Sequence, residues 1–179
     1  MYKEELGRFE MFQSKRLYHF VIFLILSGLI PIPSTVGAEA SSSVVIAQIA
    51  ASPLHALVLT ESGEVYGWGS NANGALGDGT DEARTEDLTK AQGLPAIKAV
   101  STGYLSSYAL TNEGELYAWG RNYYGQLGGG GASWGITLPR KIEGLPKLVQ
   151  IEGGNEFAVA LAASGGSIHL RCQFCRAAR

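Results

Sequence analysis

Few residues in this chain of 179 have the types and spacing that chemistry requires. Gly131-Ala132-Ser133-Trp134-Gly135 fits the G-x-S-x-G pattern of a serine nucleophile, which needs a strand, a strained turn and a helix to present the hydroxyl beside an oxyanion hole. Here the serine follows a run of four glycines in an inter-strand loop, so nucleophilic catalysis is set aside. Cys172-x-x-Cys175 has the spacing of a dithiol redox motif or of half a zinc site, but the chain holds no second cysteine pair and no βαβ context. Asp78, Asp81, Glu82 and Glu86 could gather round a hard cation. Their spacing departs from a calcium loop and reads as a solvated acidic loop. His55 has no partner recognisable from sequence, and a hydrogen-bonded structural histidine is expected there. Neither a catalytic site, a metal site nor a cofactor site is therefore assigned.

The elements that would carry such residues come from a repeat. Residues 61–77, from Glu61 through Trp68-Gly69 to Leu76-Gly77, return 51 positions later as residues 112–128, through Trp119-Gly120 to Leu127-Gly128. The same offset pairs Gly93-Leu94-Pro95 with Gly144-Leu145-Pro146 and Gly103 with Gly154. A fixed period of this length marks stacked units that cannot bury their apolar faces singly, so function belongs to a surface built by several units. The units are read as 53–103, 104–154 and a partial 155–166, within a repeat region spanning 41–170.

Each unit begins with an apolar run, Ala56 to Thr60 or Tyr108 to Thr111. A polar turn holding Gly63 or Gly114 follows, and a second run leads to Trp68 or Trp119. Short apolar runs joined through a glycine read as a β-hairpin. A weaker extended stretch near Leu138 to Ile142 and a last run such as Lys98 to Ser101 bring the count to four short strands, as in a propeller blade. Alternation places Tyr66 and Trp68 on one face of their strand, so Trp68 and Trp119 are expected to fill the seams between neighbouring blades against small glycines.

The residues Trp68-Gly69-x-Asn71-x-x-Gly74-x-Leu76-Gly77 and Trp119-Gly120-x-Asn122-x-x-Gly125-x-Leu127-Gly128, each after a hairpin glycine, resemble the repeat of the regulator of chromosome condensation family. The resemblance covers residues 44 to 166 and implies a seven-bladed β-propeller with about 50 residues per blade. The expected fold is all-β: an incomplete propeller of two full four-stranded blades with partial flanking blades. Val44 to Ala50 matches the last strand of a preceding unit, and open blade edges invite aggregation or self-association. Ser106 and Phe157 stand where the first copy has His55, which argues against chemistry at that position.

Beyond the repeat, residues 1–40 run from basic Lys15 and Arg16 through apolar Leu17 to Ile30 to an A-x-A site at Ala38-Glu39-Ala40. This is the layout of a secretory signal peptide, with Met11 the better initiator and cleavage after Ala40, leaving no stable membrane span. At the other end the period fails, with Leu170 in place of a third tryptophan. A codon choice permitted for residues 171–179 spells the missing half of the motif when shifted by one base, so this tail is read as out of frame. Without it, residues 41–170 carry seven basic and twelve acidic residues, too acidic for a nucleic-acid partner.

The functional expectation is a secreted or cell-surface, non-catalytic module that binds an unidentified protein partner through loops at one face. The loop after Gly77 differs strongly from its counterpart after Gly128, while the strands do not. Tyr123, Tyr124 and Trp134 are the candidate anchors. The resemblance also implies an alternative, a secreted enzyme inhibitor of the β-lactamase-inhibitor propeller type. A guanine-nucleotide exchange factor is disfavoured by the export signal and the absence of a basic surface.

Overall fold

A computed structural model describes residues 44–82, 85–129 and 131–170, with the side chains of residues 85 and 86 undescribed. Residues 1–40, read from sequence as a signal peptide, and the tail over 171–179, with Cys172 and Cys175, lie outside the described residues. Three antiparallel sheets account for the rest. The first joins β1 (Ile46–Ala51), β2 (His55–Thr60), β3 (Val65–Gly69) and β4 (Thr85–Lys90) in that spatial order. The second repeats it with β5 (Ile97–Thr102), β6 (Ser106–Thr111), β7 (Leu116–Asn122) and β8 (Ser133–Lys141). The third holds β9 (Leu148–Gly153), β10 (Ala158–Ala162) and β11 (Ser167–Leu170). The architecture is an all-β, unclosed propeller of two complete blades and a partial one.

The hairpins form where the repeat places a glycine after a threonine. Gly63 has φ +83° and donates its N–H to the Thr60 carbonyl at 3.0 Å, while Thr60 N–H reaches Glu64 O at 2.9 Å. Gly114 repeats the turn at φ +79°, with Thr111 as acceptor at 3.1 Å. A side chain would be strained at either position. The register repeats as well, His55 lying opposite Gly69 as Ser106 lies opposite Gly120.

The hydrogen-bonded sheet is out of step with the sequence unit. Ile97–Thr102 closes the unit 53–103 in sequence, yet it pairs with β6 and opens the second sheet. Ile46–Ala51 likewise opens the first sheet by pairing with β2, whereas the repeat suggested the end of a preceding blade. A period specifies what recurs and leaves open where a unit is cut. The tight turn at Gly103, whose N–H donates to Ser106 O at 2.7 Å, joins β5 directly to β6. The longer Gly-Leu-Pro connection instead passes from β4 at one sheet's rim to β5 at the next sheet's inner edge.

Burial follows the number of neighbours a sheet has. Every residue of β6, in the middle sheet, is buried, whereas β2 in the first sheet alternates before its last two buried residues. Leu57, Leu59, Val65, Ile97, Val100 and Trp119 pack between the first two sheets. Tyr108, Leu110, Leu116, Leu127, Leu148 and Leu170 belong to the packing between the second and third.

The two tryptophans have different fates. Trp119 is fully buried and donates its indole N–H to Ala75 O of the first sheet's loop at 2.9 Å. A Cβ on Gly77 would lie 2.8 Å from that indole nitrogen, so the absence of a side chain at Gly77 is what makes room for the ring. Trp68, expected in the same kind of seam, is 54% exposed. The socket for such an indole belongs to the blade before it, and the described residues contain no blade before β1. Leu170 takes the third position of the series and packs on Gly128, where a Cβ would come within 2.8 Å of its methyl.

Candidate protein-binding surface

In an antiparallel meander, alternate connections lie at the same end. The β1–β2, β3–β4, β5–β6, β7–β8 and β9–β10 loops therefore gather at one end of the sheets. The two longest are held by an asparagine from the motif. Asn71 Oδ1 accepts the Leu76 N–H at 2.9 Å, and Asn71 Nδ2 donates to Asp78 Oδ1 at 3.0 Å and to Thr80 Oγ1 at 2.9 Å. Asn122 does the same one blade later: Oδ1 accepts from Leu127 N–H at 3.1 Å and Nδ2 donates to Gly131 O at 2.8 Å. Both amides are buried, so each satisfies backbone groups that would otherwise be left unpaired away from water.

Three of the loops converge on Arg121. Its guanidinium lies over the rings of Tyr123 at 4.7 Å, Tyr104 at 5.6 Å and Tyr124 at 5.8 Å, with Glu156 at 3.9 Å. The ring quadrupoles hold a desolvated cation, and the cation in turn orders the rings. Tyr123 is half-buried, and its hydroxyl accepts from Asn73 Nδ2 of the preceding blade at 3.1 Å. Trp134 meets Tyr123 edge-on, with centroids 4.9 Å apart and planes at 83°. Trp134 is 81% exposed and Tyr124 39%.

Of the residues the sequence singled out, Tyr123 and Trp134 are brought into contact and Tyr124 joins them through Arg121. The motif residues Gly69 and Gly120 lie on β3 and β7, while Gly74, Leu76, Gly125 and Leu127 belong to the loops that end the motif, the leucines fully buried. Arg121, Tyr104 and Glu156 were missed. Their signal lay in subtraction of one copy from the other. Arg121 replaces Ser70, Tyr104 replaces Pro53, and Tyr123 and Tyr124 replace Ala72 and Asn73, so the cluster is assembled where the copies differ.

The other chemical candidates acquire structural places. His55 is buried between the first two sheets. Its Nδ1 lies 3.0 Å from Ser52 Oγ and its Nε2 2.8 Å from Ser107 Oγ. Ser107 Oγ donates to Ala75 O at 2.8 Å, the carbonyl that also receives the Trp119 N–H, so Ser107 accepts from His55 Nε2–H. Burial pushes the imidazole pKa down to about 4, which keeps it neutral at pH 7. Asp78 loses solvation, but bonds from Thr80 and Asn71 outweigh that and hold its carboxyl below the ordinary value. Ser133 opens β8 and accepts from Asn122 Nδ2 at 3.3 Å, with a strand and not a helix following it. Among the described residues no group of three His, Cys, Asp or Glu side chains is placed to hold a metal ion. Nor is there, among them, a helix long and apolar enough to cross a membrane.

Comparison with known proteins matches a family model described as the regulator of chromosome condensation (RCC1) repeat to residues 62–110 and 113–161. A second model of the same description matches 46–75 and 97–126. The human E3 ubiquitin-protein ligase HERC2 is 36% identical over 132 residues, which are 71% of this chain and 3% of HERC2. The crystal structure of human WBSCR16 is similar at 28% identity and a TM-score of 0.61, over 69% of this chain and 32% of that one. Prp20p of Saccharomyces cerevisiae, studied for its binding to Gsp1p and histones, has a TM-score of 0.61 at 24% identity, over 66% of this chain and 31% of its own. That likeness speaks to the fold. The chain spans only a small part of the length of these relatives.

Proposed function

From the premise that this chain belongs to the regulator of chromosome condensation repeat family, we propose that it is an exported, non-catalytic module of a larger propeller that binds a protein partner through the loop end carrying Arg121. The observation that carries this reading is the convergence of Tyr104, Tyr123, Tyr124 and Trp134 on one end of a rigid scaffold, with Trp134 81% exposed. Exposed aromatics held by packing lose little conformational entropy on binding, and such residues dominate interface energetics. Export is supported by the order of residues 1–40, basic then apolar then a small-residue cleavage site. Membership of a larger ring is supported by the unclosed arrangement of two complete sheets and one partial sheet.

A photo-cross-linking side chain placed at position 132, where exposed Ala132 lies beside Trp134, and in a second variant at position 113 on the opposite end, tests the reading. The chain is expected to capture a discrete protein from the culture medium at 132 and not at 113. Equal capture at both ends, or none, overturns the assignment of the surface. Amino-terminal sequencing of the product in the medium is expected to begin at Ser41, and a product retained in the cell with its leader intact overturns export. Should the captured protein be an enzyme whose activity falls on binding, the inhibitor alternative would replace the general module.

A further inference from the structure

Trp134 is the most exposed large apolar side chain among the described residues. It forms one wall of a shallow hollow of about 330 Å³ lined also by Tyr123, Ala132 and Ser133. No lining residue carries a charge. The faces of the two rings are regions of negative potential, and the Arg121 guanidinium 4.7 Å from the Tyr123 centroid shows this corner already holding one cation by that means.

Among the described residues, carboxylates stand on the loop that packs against β8, the strand carrying Trp134. The β3–β4 loop docks on β8, Gly79 N–H donating to Thr137 O at 3.0 Å. Three extended residues, about 10 Å, separate Thr137 from Trp134. That loop carries Asp78, held ionised by its hydrogen bonds, and the exposed Asp81 and Glu82. Glu156 stands at the same end, paired with Arg121 at 3.9 Å. Among the described residues no cation lines the hollow. The Arg121 side chain is only 17% exposed beneath its tyrosines, and the Arg140 guanidinium is turned to the Gly129 carbonyl at 3.3 Å.

Resting on the protein-binding reading above, we propose that the Tyr123–Trp134 hollow is the docking site for a lysine or arginine side chain in a basic segment of the partner. The cation lies against the Trp134 indole, and neighbouring basic residues face Asp81 and Glu82. Few polar groups line the hollow, which disfavours a sugar. The surrounding carboxylates favour a cationic ligand over a neutral proline-rich one.

The test uses the full chain, ¹⁵N-labelled, with the Trp134 indole resonance assigned by its loss in Trp134→Ala, and tetralysine, tetraproline and tetraglutamate as probes. Tetralysine is expected to shift that resonance saturably, tetraproline and tetraglutamate to leave it in place. Affinity should fall several-fold between 0.05 and 0.5 M salt and several-fold in the Asp81→Asn, Glu82→Gln double variant. Trp134→Ala should weaken tetralysine binding at least tenfold, read from backbone resonances of the loop. Tetraproline acting in place of tetralysine, no shift with any probe at millimolar concentration, or tetralysine affinity indifferent to Trp134→Ala each overturns the proposal. A natural partner that still cross-links at position 132 while tetralysine has no effect would remove the cationic chemistry and leave the protein-binding reading standing.

Discussion

The buried histidine between the first two sheets should make the fold weaken in acid in a way that one substitution removes. Its folded pKa is about 4, against an ordinary value of 6.5. Between those pH values the unfolded chain binds a proton at His55 that the native chain refuses, so stability rises with pH across this window and falls as the solution is acidified. The difference of about 2.5 units, at about 1.36 kcal/mol each, amounts to about 3 kcal/mol of stability present at pH 7 and lost by pH 4. The physical origin is clear in the geometry, because a charged ring would have to be desolvated among Ser52, Ser107 and the inter-sheet core. His55→Gln offers an amide donor toward Ser107 and cannot titrate. Urea unfolding of both chains, followed by tryptophan fluorescence from pH 7.5 to 4, isolates the effect. The acidic groups held below their ordinary range, Glu64, Asp78 and Glu115, are present in both chains and cancel in the difference. The gap in stability between wild type and variant should close by about 3 kcal/mol on acidification, whatever its size at pH 7. Two curves that stay parallel would refute the assignment of a neutral, desolvated imidazole at this seam.

Other expectations follow from the same seam and from the loops. Trp119→Ala should cost about 3 to 5 kcal/mol in urea or thermal unfolding, while Trp68→Ala, at an exposed position of the same motif, should cost about 1 kcal/mol or less. Gly77→Ala combines a φ of +77° with a Cβ 2.8 Å from the Trp119 nitrogen, so a loss of about 2 kcal/mol or more is expected, with a blue-to-red change in the buried indole emission as the ring is displaced. Asn122→Ala leaves Leu127 N–H and Gly131 C=O without their partner and should cost about 2 kcal/mol, read as lost amide-exchange protection in residues 123–128.

Much of the architecture was legible in the chain of letters. The 51-residue offset announced equivalent sheets, and the glycine after each Thr60- or Thr111-type position announced its hairpin, because a turn with positive φ is a local requirement that one residue type meets. Asn71 and Asn122 were visible as motif members, although what they bind was not. Even features unremarked in the letters obey the period, such as the Lys90–Glu64 and Lys141–Glu115 ion pairs on the exposed rim. Such exposed pairs add little to stability.

What escaped the letters were the properties that depend on a neighbour. Trp68 and Trp119 occupy the same place in the same motif, yet one is 54% exposed and the other buried, because the glycine socket for each indole is supplied by the blade before it. The cut between blades was hidden too, since a repeat looks alike from any starting point and only hydrogen bonding shows that Ile97–Thr102 pairs forward with β6. The Arg121 cluster draws Tyr104, Tyr123 and Glu156 from three separate connections, and no spacing rule joins residues that meet only when sheets stack. Local geometry is written in nearest neighbours along the chain. Burial and recognition are set by neighbours across space, which this chain acquires one blade at a time.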